Sequence, residues 1–514
     1  MIPFEEFENL AKAYNVIPLV RTMMADMHTP VSTYLTMREG ASASFLFESV
    51  EPNEKIGRHS FIGINPSMTV KAKGKTVEVR EGSVSRSCTG NIFDALGELE
   101  SRFHQAPTPS AYDLAEGRAA IASMMGFLGG FVGYLGYNNV RHLEKLPLPE
   151  PGPYDGDDAA FGMFDSLIRF DHRRQMITIV HNVIVDPHKT IRQQYEEARK
   201  IIDTLELRLR KTAVATYTFA CDTSRVDDGM DRHLYCKGVL RAKEYIVEGD
   251  IFQVVLSRKI RLQYSGDLFP VYRALRIINP SPYLYYVDFG DTKLVGSSPE
   301  VLVRVQNGDV EVLPIAGTRQ RGGTEEEDRN LEEELLHDEK ELAEHIMLVD
   351  LGRNDVGRIC EFGSVEVPVL KRVEKYSHVM HLVSEVRGKL KAGSTALDAL
   401  KACFPAGTVS GAPKVRAMEI INELERGARG VYAGAVGYLG FNGTLDTCIA
   451  IRTIVAHRDT LYIQAGAGIV ADSVPEREFQ ETVNKAEALL EAVALASRGL
   501  DQLYGTSGQR QRQG

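Results

Sequence analysis

The sequence predicts an α+β chain in which helices and strands lie in layers. Three observations predict it. Strict alternation of apolar and polar residues marks strands in MTVKAKGKTVEV (68–79) and QMITIVHNVIV (175–185). Helical spacing marks 189–211, then regions near 327–351, 395–403 and 475–497. These elements do not follow the regular strand–helix–strand alternation that a parallel sheet needs.

Taken in order, residues 1–211 form a strand-rich first half that the 189–211 helix closes. Within it, KLPLPEPGPYDGDD (145–158) is rich in Pro, Gly and Asp and reads as a loop. The stretch 119–140 carries no charge and is long enough to cross a bilayer, with Gly126-x-x-x-Gly130 and Gly129-x-x-x-Gly133 spacings. Its five glycines, with Tyr134, Tyr137, Asn138 and Asn139, make a poor spanning helix, so no membrane association is expected. GFVGYLGY (130–137) recurs as GAVGYLGF (434–441), identical at six of eight positions. Both copies read as buried strands, one in each half, whose glycines let another backbone come close. Residues 212–230 read as a connector. The second half, 231–500, opens with a helix from Asp231 to Glu248 and a strand at 251–262. The tail 501–514, with its GTSGQRQRQG end, is low in complexity and expected to be flexible.

Composition narrows the function class. The 514 residues are 43% hydrophobic and 25% charged, which excludes a disordered chain, a collagen and a coiled coil. At roughly 100–200 residues per domain the length allows three domains or one large two-lobed unit. A net charge of −10 argues against a nucleic-acid binder, yet a few local cations suffice for an anionic small molecule. The six cysteines are scattered without a C-x-x-C pair, as expected of reduced thiols in a cytoplasm. The acidic start MIPFEEFENL has no basic region before an apolar run, so no signal peptide is expected.

The chemistry-bearing candidates lie mostly in the second half. Ser473-Val474-Pro475-Glu476 has the form of a capping box at the head of the last helix. Glu478, Glu481 and Lys485 then share one helical face, and Glu341 and Glu344 form a second i, i+3 pair. Two such pairs can hold Mg²⁺, which takes oxygen ligands and keeps waters. Acidic pairs are more often solvated faces, and the runs Glu325–Glu327 and Glu332–Glu334 read as such surface. Gly466-Ala467-Gly468 after an apolar strand has part of a dinucleotide fingerprint, but the helix starts several residues late. A tight turn, with or without an anion on its bare N–H groups, is the simpler reading. No Ser-His-Asp elbow, P-loop or H-E-x-x-H motif is present, which disfavours the common hydrolases, kinases and metalloproteases.

Taken together, EGDIFQVVLSRK (248–259), SSPEVLV (297–303), PIAGTRQRG (314–322), DEKELAEHIMLVDLGRND (338–355), FPAGTVSGAPK (404–414), AIRT (450–453) and QAGAGIVADSVPEREFQET (464–482) resemble the chorismate-utilising enzymes, in their anthranilate-forming branch. FLFES (45–49) and GRHSFIG (57–63) match that family's regulatory half more loosely. The resemblance implies a two-lobed layered sandwich of large, mostly antiparallel sheets covered by helices. It implies a Mg²⁺-dependent lyase that turns chorismate and ammonia into anthranilate and pyruvate, the first committed step of tryptophan biosynthesis. Relatives that make aminodeoxychorismate or aminodeoxyisochorismate are the alternative.

Residue by residue, the resemblance implies Glu344 and Glu481 as Mg²⁺ ligands, with Glu341 and Glu478 holding the metal's waters. It implies Glu300 as the acid for the departing C4 hydroxyl, which requires a raised pKa. His381 faces the ring and assists proton transfer, while Tyr432, Arg452, Gly466, Ala467, Gly468 and Lys485 anchor the enolpyruvyl carboxylate. Gly317, Thr318 and Thr408 complete the pocket. Gln253 stands where water-adding relatives carry a lysine base, and Ala316 where aminodeoxychorismate synthases often carry a nucleophilic lysine. By period-2 counting Gln253 shares a face with Val255 and Ser257 and can point into a cleft. No cysteine lies in a glutaminase-like segment, so ammonia is expected from a separate glutamine amidotransferase subunit, in a heterotetramer of two large and two small chains. Feedback inhibition by L-tryptophan is also implied, through Ser49 beside Glu48 and Phe47, and through Pro282, Tyr283 and Leu284. Arg58 is a candidate cation for the inhibitor's carboxylate.

Overall fold

The computed structural model describes residues 1–49, 58–107, 126–147, 152–211, 217–375 and 379–500. Two large sheets, of 13 and 12 strands, pack with helices around several apolar clusters. Every strand pairing within them is antiparallel, as hairpin-connected strands allow without crossover helices.

The order of strands has a simple logic. In the first sheet, Val16–Met24, Met176–Ile184, Ser166–Asp171, His59–Ile64 and Ser44–Glu48 run as one block. Tyr283–Asp288, Thr292–Ser298, Thr453–His457, Thr460–Ile469, Gln253–Gly266 and Phe219–Cys221 follow as a second block. The blocks join only where Leu284 pairs with Glu48 and Asp288 with Ser44. The second sheet has a matching seam between Gly130–Leu135 and Ala435–Gly440. These are the two copies of the recurring glycine motif. They lie side by side, with Gly133 opposite Gly437. A Cβ on Gly133 would collide with the Ala160 carbonyl, and one on Gly437 with the Asp446 carbonyl, so the glycines permit the close backbone packing. Part of the uncharged 119–140 stretch falls outside the described residues. Among those described, no helix is long and apolar enough to cross a membrane.

Several expected elements shift. The helical region near 327–351 is two helices, Glu325–His337 and Glu339–Ile359. They are separated by Asp338, whose extended backbone lets its carboxylate accept from the Lys340 and Glu341 amides. The last helix, Pro475–Arg498, has no capping box: its N-cap is Val474, and the Ser473 hydroxyl instead accepts from the Val470 amide. Proline at the first helical turn replaces the cap, because its missing N–H leaves one fewer orphan donor. The connector is not wholly loop, since Phe219–Cys221 and Asp227–Asp228 both pair with Gln253–Gly266. Residues 212–216 and the tail 501–514 lie outside the described residues.

Candidate active site

The Gly466-Ala467-Gly468 segment is strand, not turn. It belongs to Thr460–Ile469 and pairs with Gln253–Gly266, Gly466 opposite Ser257 and Gly468 opposite Val255. The pairing with Thr453–His457 stops at Ile463, so beyond it the segment is paired along one edge only. The glycines serve a different purpose, which is to make room. A Cβ on Gly466 would lie 2.6 Å from the Tyr432 hydroxyl, and one on Gly468 2.7 Å from Gln253 Nε2. Ala467 alternates to the opposite face and packs in the core with Val254 and Leu256, so its side chain does not reach the site.

From these glycines the predicted residues connect into one set. Lys485 Nζ donates to the Gly466 carbonyl at 3.0 Å and pairs with Glu481 one helical turn earlier at 2.6 Å. Arg452 Nη1 donates to the Lys485 carbonyl at 2.6 Å, which ties the AIRT segment to the last helix. Arg452 sits at a φ of 50°, a strained position for a side chain-bearing residue. Its carbonyl accepts from the Ser297 amide at 3.0 Å, which helps hold that backbone in place. Burial pulls the guanidinium down from its usual value, and Tyr432 and Glu481 oppose the effect.

Gln253 is buried and donates through Nε2 to Glu344 at 3.2 Å. Its Oε1 is buried without a partner. The side chain thus points toward the acidic helix, as the alternation in its strand predicts. The Glu344 carboxyl is raised by burial first and then by the neighbouring charges of Glu341 and Glu481. Glu478 is raised by burial and by Glu481. Glu341 receives Arg319 at 3.4 Å and lies close to Gly317, where an added Cβ would be 3.4 Å from its Oε2. Arg319, absent from the expected site, also pairs with Glu334 and Asp338.

Like charges gathered on two facing helices, with an orphaned amide oxygen beside them, suit a hard divalent cation. Among the described residues, no three His, Cys, Asp or Glu side chains stand close enough to grip a metal by themselves. Mg²⁺ keeps several waters and is commonly held by one or two carboxylates together with substrate anions.

Glu300 immediately precedes the Val301–Gln306 strand, and its carbonyl accepts from the Ile449 amide at 3.0 Å. Burial pushes its carboxyl up to about 7, against the smaller opposing influence of the Thr408 hydroxyl and Lys485. His381 lies on Val379–Lys389 beside a bulge at Ala316–Thr318, where Gly317 takes a φ of 67°. The His381 Nδ1 lies 3.0 Å from both the Gly317 carbonyl and the Thr318 hydroxyl. A carbonyl can only accept, so Nδ1 carries the proton and Nε2 keeps the lone pair. Burial lowers the His381 pKa, and Arg452 adds to the effect.

A separate cavity lies elsewhere. It has a volume of about 330 Å³ and lies where the strand blocks meet in both sheets. Ser49, Pro282, Tyr283 and Leu284 line it, with Phe61, Phe127 and Tyr438. Phe127 and Tyr438 stack at 4.1 Å. The Ser49 hydroxyl is buried without a partner. Arg58 reaches the wall but is held by Asp171 at 2.8 Å, so it is already neutralised. Residues 50–57, the spacer between Ser49 and Arg58, lie outside the described residues.

Known proteins resemble the chain along its length. A family model for chorismate binding enzyme matches residues 42–491. Anthranilate synthase component 1 of Acetivibrio thermocellus is 47% identical over 498 residues, covering 95% of this chain and 97% of the relative. The protein of the same name from Aquifex aeolicus is 43% identical over 508 residues, covering 98% and 99%. Among solved structures, anthranilate synthase component I from Streptococcus pneumoniae TIGR4 superposes with a TM-score of 0.71 at 35% identity, covering 91% of this chain and 99% of that one. The menaquinone-specific isochorismate synthase MenF of Escherichia coli shares the fold at a TM-score of 0.67 and 19% identity, covering 95% and 98%. With a family match across most of its length and relatives above 40% identical from end to end, the chain belongs to the chorismate-binding enzymes, in the anthranilate synthase component 1 family.

Proposed function

We propose that the protein converts chorismate and ammonia to anthranilate and pyruvate, as the large, Mg²⁺-dependent subunit of a two-component enzyme. The observation that carries this reading is the Glu300 carboxyl, held near pH 7 beside a connected set of cationic and acidic groups. Chorismate is a diacid. Lys485 and Arg452, with the Tyr432 hydroxyl and the open glycine strand, suit its enolpyruvyl carboxylate. Glu344 and Glu481 would hold Mg²⁺, and Glu341 and Glu478 its waters. Bound there, the ion would neutralise the ring carboxylate beside the acidic helices.

Ammonia attacks C2 while the C4 hydroxyl leaves as water, taking its proton from Glu300. The C4–O bond breaks as the C2–N bond forms. His381, kept neutral because burial and Arg452 lower its pKa, would accept the C2 proton as the C3–O bond breaks, pyruvate leaves and the ring aromatises. Gln253 cannot deprotonate water, which favours ammonia as the nucleophile, and Ala316 offers no nucleophilic amine.

The direct test incubates the purified chain with chorismate, Mg²⁺ and ammonium. Equal release of pyruvate and fluorescent anthranilate is expected. A 4-amino product, or an amino intermediate that never aromatises, would move the chain to the alternative branch. Glutamine should replace ammonium only when an amidotransferase partner is added.

The seam cavity is the natural place for feedback inhibition by L-tryptophan. Its walls include Arg304 on Val301–Gln306 and Asp446 on Leu445–Ile449. Those strands continue into Glu300 and its Ile449 partner, a short path from cavity to acid. Ser49→Ala should raise the inhibitory tryptophan concentration several-fold and leave the uninhibited rate unchanged. An unaltered inhibition curve would remove Ser49 from the site.

A further inference from the structure

Arg169 is the unexplained charge in the seam cavity. It lies on Ser166–Asp171, paired with Phe61 on one side and Thr178 on the other, and is only 6% exposed. Its Nε and Nη1 are buried and have no hydrogen-bond partner. A buried guanidinium without acceptors is costly, and proteins rarely keep one unless something completes it.

The other cations around this cavity are satisfied. Arg58 is held by Asp171 through Nε and Nη2. Arg304 donates to Asp446 at 3.2 Å, to Glu311 at 2.8 Å and to the Tyr283 hydroxyl at 2.8 Å. The acids are satisfied too: Glu48 accepts from Tyr272 and from Arg276, and Asp171 accepts from Arg58 and from the Arg174 amide. Among the described residues, what remains is a guanidinium whose buried Nε and Nη1 lack acceptors, and the buried Ser49 hydroxyl, on an aromatic-walled cavity of about 330 Å³. That volume is at the lower end of small-molecule sites.

We propose that Arg169 is the carboxylate anchor of this cavity, and that the occupant is an aromatic α-amino acid bound by its carboxylate to Arg169. This assigns to Arg169 the part that the sequence suggested for Arg58. The proposal rests on the regulatory reading above and makes it more specific. A planar guanidinium meets a carboxylate with two parallel hydrogen bonds, so ligands lacking the carboxylate lose that contact altogether. The anchor lies in the first strand block, whereas Pro282 and Leu284 lie in or beside the second. An occupant would therefore bridge the seam.

The test measures binding of L-tryptophan and of tryptamine, its analogue without the carboxylate, to the full chain by calorimetry. Arg169→Met is the variant, since methionine keeps an unbranched apolar stem and removes the guanidinium with its charge and donors. Its uninhibited rate and melting temperature should stay close to those of the parent, because the buried Nε and Nη1 that it loses make no hydrogen bonds. The affinity for L-tryptophan should fall roughly 10- to 100-fold, the range for losing a charge-assisted contact, while tryptamine binding stays unchanged. Arg169→Lys should recover part of the loss. Unchanged tryptophan affinity in Arg169→Met overturns the assignment. Equal losses for tryptophan and tryptamine also overturn it, because they mean that the cavity merely changed shape. If the parent protein binds neither compound, the regulatory reading itself fails, and that outcome is distinct from both.

Discussion

Glu300→Gln lowers the rate of anthranilate formation by about 10²- to 10⁴-fold, the span of general acid catalysis, with little change in the overall fold. The amide keeps the shape of the carboxyl but has no proton to give the departing hydroxyl. In the parent enzyme, burial pushes this carboxyl up to about 7, so the acid form is abundant below that pH and scarce above it. The kcat/KM profile should fall as pH rises through about 7, and this limb should be missing from the residual activity of the variant. The same shift has a stability consequence with a definite sign. The folded state holds the proton more tightly than the unfolded chain, whose glutamate titrates near 4.5. The resulting stabilisation is complete below 4.5 and is lost as pH rises through 7. At about 1.4 kcal/mol per pKa unit, the parent loses roughly 3 kcal/mol across that window, and Glu300→Gln does not. The variant should therefore be nearly inactive yet more resistant to urea at pH 8. A variant that is less stable than its parent at pH 8 counts against a buried, proton-bearing Glu300.

Removal of one metal-facing carboxylate should be nearly as severe. Glu344 is raised first by burial, then by repulsion from Glu341, with Glu481 on the last helix adding to it. Mg²⁺ relieves the repulsion, so adding it should raise the melting temperature of the parent protein. Each tenfold excess of ion over its Kd contributes about 1.4 kcal/mol of stability. Glu344→Gln should abolish most of this thermal response and reduce activity at least 100-fold, while the melting temperature without metal stays level or rises. Exhaustive chelation should likewise abolish activity, and added Mg²⁺ restore it. Full turnover in a chelated sample, or an undiminished Mg²⁺ response in Glu344→Gln, would contradict the assignment of the carboxylates.

Gln253 and the paired acids illustrate what could be read without a structure. Alternation in EGDIFQVVLSRK put Gln253 on a face apart from Phe252, and in the structure it meets Glu344. Helical spacing put Glu478, Glu481 and Lys485 on one face, and Lys485 pairs with Glu481. These are local consequences of fixed periods, 2 for a strand and 3.6 for a helix. The glycine strand was misread as a turn because a Gly-x-Gly spacing does not reveal whether the residues are bare for conformation or for space. The reason is Tyr432 and Gln253, which come from distant parts of the chain. Arg169 left only a faint trace, a charge at an inward position of SLIRFD, where the sequence alone does not tell whether an acid waits opposite.

The sequence by itself determined the fold class, the family and a set of candidate site residues, because motifs and periodicities are properties of short stretches. Only the tertiary structure decided the seams and the charge pairings. The recurring glycine motifs are 304 positions apart in sequence and adjacent in space, and the seam cavity lies against Val436, Gly437 and Tyr438 of the second copy. Arg58 and Arg169 are equally basic in sequence. Asp171 neutralises one and leaves the other's Nε and Nη1 without an acceptor. Whether a charge is spent or available depends on which group the fold places within hydrogen-bond reach, and burial in a low-dielectric interior makes that difference large.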